Sequence, residues 1–289
     1  MTREATDLTA GDHVLRAITD DDNFRVITAS TTDTVRGIVN AQRVSDPTTV
    51  RHLADLVTGT VLVRETMAPT YRVQGVLYGR NGTTSLVADT HPDGVTRGLL
   101  QNAEEGPFEL GTGARLQMMR VMAKGRVHRS MIEPPDDRVA SAIMTYMQES
   151  EQVVALVATG LTRDEEGAIR HAGGFVVQLL PGADRGPLMI MTERLEAMPS
   201  TDQLVADLGP ERLLEELLFG MPYAQLETRP VRYGCQCSRA RVVMSLSTLP
   251  RAELVSMVEE DEVIEVSCDY CNTTYKLGRT HLQGLLEES

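Results

Sequence analysis

The most specific chemistry in this chain is carried by its four cysteines. Cys235 and Cys237 form a C-x-C pair, Cys268 and Cys271 form a C-x-x-C pair, and 30 residues separate the two. Cysteine pairs this close sit on tight turns, so four sulfurs can converge on one tetrahedral Zn²⁺ at about 2.3 Å. Gly234 eases the first turn. Arg239 and Arg241 follow it closely, where guanidinium charge can offset the surplus negative charge of four thiolates on one ion. Three chemistries remain open for such a set. The first is a permanent structural zinc. The second is a zinc centre that oxidants dismantle, because zinc keeps thiols deprotonated and the thiolate is the form that peroxide and hypochlorite attack. The third is a dithiol oxidoreductase, which fits less well. A redox C-x-x-C belongs near a βαβ pattern, whereas Cys271 leads into Asn-Thr-Thr-Tyr-Lys-Leu, a strand-like run. Four cysteines fill the tetrahedron and leave no open position for water, which argues against a zinc enzyme.

The elements that must hold these cysteines are small. Residues 233–289 number 57, with candidate core residues Val242, Val243, Leu246, Leu254, Val255, Val263, Ile264, Leu277, Leu282, Leu285 and Leu286. A unit of this size is marginal without a staple. Structural zinc contributes roughly 10–16 kcal/mol of apparent binding free energy in finger peptides, more than such a unit's own stability. Oxidation of the cysteines is therefore expected to unfold it. Upstream, residues 184–232 contain nine acidic and five basic residues and read as helical. Ser200 with Gln203 makes a capping-box pattern, and Gly209-Pro210 breaks and restarts the helix. Leu213, Leu214, Leu217 and Leu218, followed by Phe219, form a dense apolar stripe flanked by Glu215 and Glu216. Such a stripe is ordinarily permanent core. If the cysteine unit supplies part of its cover, unfolding that unit bares a patch suited to other apolar chains.

Residues 1–183 have a different texture. The stretch 13–30 alternates and reads as a strand, strongest at Arg25-Val-Ile-Thr-Ala29. Helices are expected over Thr32–Arg43 and, after Asp46-Pro47, over Thr48–Glu65, where Leu53, Leu56, Val57, Val61 and Leu62 recur at helical spacing. Residues 72–122 read as a sheet of several strands, with Asn81-Gly82 as a two-residue hairpin turn. A helix with Val139, Ala142, Ile143, Tyr146 and Met147 on its apolar face precedes a buried strand over 153–161. His171-Ala-Gly-Gly reads as a double-glycine turn into an apolar run ended by Pro181-Gly182. The expected fold class is α+β. A mixed α/β N-terminal domain with β-sheets and packed helices spans 1–183, a helical linker 184–232, and a small C-terminal four-cysteine zinc domain 233–289.

Composition removes other functions. The 289 residues carry 28 Lys and Arg against 41 Asp and Glu, a formal charge of -13. That balance argues against a nucleic-acid binder and against docking on an anionic membrane. Gly79-Arg-Asn-Gly82 and Gly111-Thr-Gly113 lack the context of a phosphate-binding loop, so no ATP is expected. The six histidines show no metal-ligand spacing, and His171 beside a turn reads as an ordinary packed or exposed residue. Fourteen methionines, among them Met118, Met119, Met122, Met144, Met147, Met189 and Met191, read mostly as core filler with some adaptable surface. The N-terminus has no apolar h-region, and the longest apolar run, Val153–Ala158, is strand-sized. The reducing cytoplasm is the expected compartment. The rival reading is an α/β protein with a constitutive structural zinc ribbon acting as an interaction or nucleic-acid-binding module. Its ribbon should carry a basic face, but residues 233–289 hold nine acidic and five basic residues.

Four groups of residues resemble one family in order and spacing. They are Cys235-Gln-Cys237-Ser-Arg239 with Cys268-Asp-Tyr-Cys271 and Tyr275; Ala172-Gly-Gly174 with Gln178 and Leu180-Pro-Gly-Ala183; Tyr146 with Ser150-Glu-Gln152; and Arg25-Val26 with Thr32–Arg36. The chain resembles, nearly end to end, the redox-regulated molecular chaperones of the heat-shock 33 kDa type, also called 33 kDa chaperonins. Residues 71–90 depart most from that pattern. The resemblance implies an ATP-independent holdase rather than an enzyme. One Zn²⁺ per chain would sit on Cys235, Cys237, Cys268 and Cys271 in the reduced, inactive state. Oxidation would form disulfides Cys235–Cys237 and Cys268–Cys271, release zinc and unstructure the cysteine domain and linker. The exposed surface, with Leu213, Leu214, Leu217, Leu218 and Phe219 as candidates, would bind unfolded client proteins. The resemblance further implies a homodimer in the oxidised state, with 1–183 as the client-binding and dimerisation domain. The acidic charge would keep such a protein soluble.

Overall fold

The computed structural model of the chain describes residues 11–103, 108–122, 125–183, 185–260 and 263–278. It divides into two compact units, residues 1–234 and residues 235–289.

Antiparallel pairing organises the first unit. The alternating stretch at 13–30 is two strands, β1 (His13–Thr19) and β2 (Phe24–Ser30), joined by a tight turn with Asp22 in the left-handed region at φ 56°. Helix α1 (Thr32–Gln42) ends where Arg43 turns left-handed at φ 53°. The Asp46 carboxylate then accepts the Thr49 N–H at 2.7 Å, and Pro47 opens α2 (Pro47–Thr66). Strands β3 (Arg72–Tyr78), β4 (Ser85–Thr90), β5 (Val95–Gln101), β6 (Arg115–Val121) and β7 (Val127–Ile132) follow. The β3–β4 connection spans Gly79–Thr84, with Gly82 at φ 75°, so Asn81-Gly82 sits inside a longer loop than the two-residue turn expected. After α3 (Val139–Glu149) come β8 (Ala155–Arg163) and β9 (Ile169–Leu179). Just past α3, Glu151 accepts the Tyr146 hydroxyl at 2.6 Å and Arg120 at 2.5 Å, tying the helix end to β6.

Residues 185–233 hold α4 (Arg185–Ala197), α5 (Thr201–Asp207) and α6 (Pro210–Leu217), with Ser200 accepting the Gln203 N–H at the start of α5 as expected. The segment does not stay helical. It ends in β10 (Tyr223–Gln225), β11 (Arg229–Pro230) and β12 (Arg232–Tyr233). One sheet has the order β10-β1-β2-β9-β8 with β11 also on β1, and the other has the order β12-β5-β4-β3-β6-β7. The last strands thus stitch the end of the segment into both sheets.

Helix α2 lies between the two sheets, packing on β2, β8 and β9 on one side and on β3, β4 and β5 on the other. That position explains why nearly its whole circumference is buried, not only the expected stripe. One apolar core fills this space and includes Ile27, Leu53, Leu56, Leu62, Leu77, Leu86, Leu116 and Val176. A second core lies on the other face of the first sheet. There Leu15, Ala17, Phe24, Val26, Phe175 and Val177 meet Met191, Leu204, Leu213, Leu214, Leu217 and Leu218.

Gly173-Gly174 is not a turn but lies within β9. A β-carbon on Gly174 would stand 2.2 Å from the Ala158 carbonyl oxygen, and one on Gly173 would stand 2.5 Å from that of Ala29. The double glycine is what lets the two neighbouring strands approach.

Candidate metal centre

The second unit has a small core of its own: Val242, Leu246, Leu254, Ile264 and Leu277. It joins α7 (Arg239–Leu246) and α8 (Arg251–Glu260) to a hairpin of β13 (Val263–Ser267) and β14 (Thr274–Gly278). Val263, expected in the core, is exposed, because strand alternation gives the inner position to Ile264. The leucines at 282, 285 and 286 lie outside the described residues.

The hairpin pairs up to Ser267 and Thr274, so residues 268–273 form its tip. Within that tip the Cys268 N–H reaches the Thr273 carbonyl at 3.0 Å, and the Asn272 N–H reaches the Cys268 carbonyl at 2.7 Å. Asn272 takes the left-handed conformation at φ 55°, which a short polar side chain tolerates. These bonds fold the C-x-x-C pair into a tight knuckle. The C-x-C pair lies in the segment just before α7, whose first turn is capped by Ser238 accepting the Arg241 N–H at 3.3 Å. Secondary structure therefore fixes one pair at a hairpin tip and the other at a helix entrance.

The two pairs meet. All four sulfurs lie within 4.8 Å of one another, with Cys235–Cys268 at 3.6 Å and Cys237–Cys271 at 3.4 Å. A tetrahedral ion with metal–sulfur bonds of about 2.3 Å has its sulfurs about 3.8 Å apart. The sulfurs are half-buried and unbridged. They are positioned to hold one metal ion, and among the described residues no other group of histidine, cysteine or acidic side chains converges in this way.

Their surroundings differ. The Tyr275 hydroxyl, on β14, donates to Cys237 Sγ at 3.0 Å. Burial nevertheless pushes the Cys237 thiol up to about 12, and the Tyr275 hydroxyl, tied to that sulfur, rises to about 12 as well. Burial also raises Cys268. It acts upward on Cys271 too, but hydrogen bonding from Thr273, whose hydroxyl oxygen lies 3.3 Å away, outweighs it and holds that thiol at about 7. Arg241 directs one donor to Gln236 Oε1 at 3.4 Å, and the side chains of Arg239 and Arg241 are both exposed. Tyr275 and Thr273 were not legible as sulfur partners from spacing alone; the available signal was hydroxyl-bearing residues within four positions of the last cysteine.

The other candidate residues lie in the first unit. Leu213, Leu214, Leu217 and Leu218 are buried, covered by the sheet face of Leu15, Phe24, Val26 and Phe175 and by α4 and α5. Phe219, next in sequence, is 74% exposed. His171 is exposed and shares a hydrogen bond with Thr162 at 3.0 Å, as an ordinary surface histidine does. Met118, Met147 and Met191 are core, and Met189 is on the surface. No described helix is long and apolar enough to cross a membrane.

Comparison with known proteins places this architecture. A 33 kDa chaperonin of Syntrophotalea carbinolica is 31% identical over 286 residues, covering 95% of this chain and 99% of that protein. One from Bacillus pumilus is 28% identical over 291 residues, covering 96% of this chain and 99% of that protein. The crystal structure of the 33 kDa chaperonin (heat shock protein 33 homolog) of Thermotoga maritima superposes with a TM-score of 0.83 at 22% identity, covering 96% of this chain and 98% of that one, and so shares the fold. The family described as Hsp33 protein matches residues 12–278, which takes in both sheets, the helices laid on them and all four converging cysteines, and the chain belongs to that family.

Proposed function

We propose that this protein is a redox-regulated, ATP-independent holdase chaperone, inactive while Cys235, Cys237, Cys268 and Cys271 hold one Zn²⁺. The observation that carries this reading is the convergence of four unbridged cysteines in a 55-residue unit of a chain matched to the Hsp33 family over residues 12–278. Soft thiolates at near-tetrahedral spacing suit zinc over harder cations. Cys235 and Cys237 at the helix entrance and Cys268 and Cys271 at the hairpin tip would hold the ion as thiolates, and that shared ligation would cross-link the two elements. The chain's own core in this unit is five buried apolar residues among those described, too few to hold it unaided.

Oxidation removes two electrons for each disulfide. A thiolate attacks the peroxide oxygen and becomes a sulfenic acid as the other oxygen leaves as hydroxide and takes up a proton. A second thiolate then displaces the sulfenic oxygen, which also leaves as water, and the S–S bond closes. Two such rounds consume the four thiolates, and the chain has no donor left for the ion. The pairs assigned are Cys235–Cys237 and Cys268–Cys271, as the family resemblance implies; neighbours in sequence also close the shortest loops once the unit unfolds. Leu213, Leu214, Leu217, Leu218 and Phe219 then serve client proteins when α6 leaves the sheet, and the sheet face beneath becomes available with them. The oxidised protein acts as a homodimer in the cytoplasm, without ATP, nucleic acid or membrane.

The test uses a heat-unfolded client and light scattering, without ATP. The oxidised protein suppresses aggregation and the reduced, zinc-loaded protein does not. Equal suppression in both states overturns the switch and leaves a constitutive binder.

A further inference from the structure

Besides their apolar contacts, helices α5 and α6 are tied to the sheets and helices of residues 11–183 at a few polar points, and one of these, at the start of α5, joins several groups. A β-carbon on Gly160 of β8 would stand 2.6 Å from the Thr201 carbonyl oxygen and 2.9 Å from Val205, so the missing side chain is what lets α5 sit this low on the sheet. Asp202, in the first turn of α5, uses both carboxylate oxygens. Its Oδ1 accepts the backbone N–H of Leu161 at 3.0 Å, and its Oδ2 accepts Arg51 Nη1 at 2.8 Å. Arg51 lies on the central helix α2, and its Nε donates to Asp55 Oδ2, one turn along, at 2.8 Å. Asp55 is buried, so its charge depends on that guanidinium. One arginine thus bridges a carboxylate of the central helix and a carboxylate of the overlying helix. His52, Asp137, Arg138, Ser141, Thr159 and Ser200 line the same cleft.

Only two residues, Leu208 and Gly209, separate α5 from α6, and Leu204 of α5 packs in the same apolar cluster as the α6 leucines. Whatever holds α5 therefore restrains α6. The Arg51–Asp202 pair is itself part-exposed, so its Coulombic share is modest. The backbone N–H on the same carboxylate adds a charge-assisted bond, about twice as strong as a neutral one.

We infer that Arg51 and Asp202 form a charge clamp that sets how readily α5, and with it the leucine-bearing α6, leaves the sheet. The threshold for client binding is then set in the first unit as well as at the cysteines. This inference rests on the reading that departure of these helices uncovers the client surface.

The experiment uses the full-length, reduced, zinc-loaded protein and compares it with Asp202→Asn, Asp202→Arg, Arg51→Asp and the Arg51→Asp/Asp202→Arg double swap. Amide exchange over residues 201–217 is read alongside exchange in β2 and β9, zinc content and light-scattering suppression. Asp202→Arg should speed exchange over 201–217 about tenfold, with the milder Asp202→Asn in the same direction, while β2, β9 and zinc content stay as in the parent. It should also give suppression without oxidant. The double swap, which again places an arginine between two carboxylates but leaves the Leu161 N–H without its acceptor, should relieve part of the loosening, with exchange slower than in Asp202→Arg alone. Unchanged exchange in both Asp202 variants overturns the clamp, and so does loosening that the swap fails to relieve. If the helices loosen and the swap relieves part of that loosening but suppression never appears without oxidant, the clamp stands and the assignment of the client surface falls.

Discussion

Residues set the strength of each local charge arrangement, and two of them can be read directly. Tyr275 gives Cys237 a hydrogen bond from outside the set of four sulfurs. Partners of this kind stabilise the charged form of a ligand, and losing one typically weakens metal affinity by about 10- to 100-fold. Tyr275→Phe keeps the ring and removes only the hydroxyl, so zinc affinity should fall about tenfold by chelator competition, with the fold retained. In the first unit, Asp89 is fully buried, held by Arg72 at 2.6 Å and Arg97 at 2.9 Å with His91 nearby. Burial acts to raise its carboxyl, but His91 and the two guanidinium groups outweigh it and hold the group well below its ordinary 3.8. A depressed carboxyl contributes stability that is fully present above the ordinary value and lost as pH falls through the lowered, folded-state value. Asp89→Asn should therefore cost about 3 kcal/mol at pH 7 and nearly as much at pH 4, the cost shrinking only at lower pH, as urea unfolding at pH 7, 4 and 2 would show.

At the scale of elements, α6 shows what periodicity can and cannot say. The spacing of Leu213, Leu214, Leu217 and Leu218 marked an apolar face, but it carries no information about which surface meets that face. The structure supplies the sheet, and Leu217, fully buried against it, should cost about 3 kcal/mol when cut to Ala. If α6 must leave the sheet to expose clients' binding surface, the same variant should need less oxidant to become active, which a dose series with scattering readout measures. Gly173-Gly174 went the other way. Two glycines in a row commonly punctuate a turn, and only the carbonyl oxygens of neighbouring strands explain them in the middle of β9. Strands β10, β11 and β12, of two or three residues each, are too short to carry an alternation, so the segment after α6 read as helix.

At the scale of the whole molecule, two units of very unequal core share one chain. The first has two apolar cores, and the second has, among the described residues, a handful of buried ones and the cysteine cluster. Metal removal should act on them unequally. With a strong chelator under reducing conditions, amides of β13 and β14 should lose protection while those of β2 and β9 keep it. Loss of protection in both sets together would mean one cooperative structure rather than two. The charge of -13 belongs to this scale too, since like charge would oppose open-ended aggregation if apolar surface were bared.

Much of this was legible in the linear chain. Cysteine spacing marked four candidate ligands of one ion, and apolar spacing marked α1, α2, α3 and the α6 stripe, because ligand pairs on tight turns and helical faces are local properties. What packs on what was decided only in three dimensions. The burial of α2 between two sheets, the glycines beneath neighbouring strands and α5, and the arginine bridging α2 to α5 all depend on residues brought together from distant parts of the chain. A sequence pattern reports which side of an element seeks cover. It cannot name the cover, because that is chosen by competition among every apolar face in the molecule.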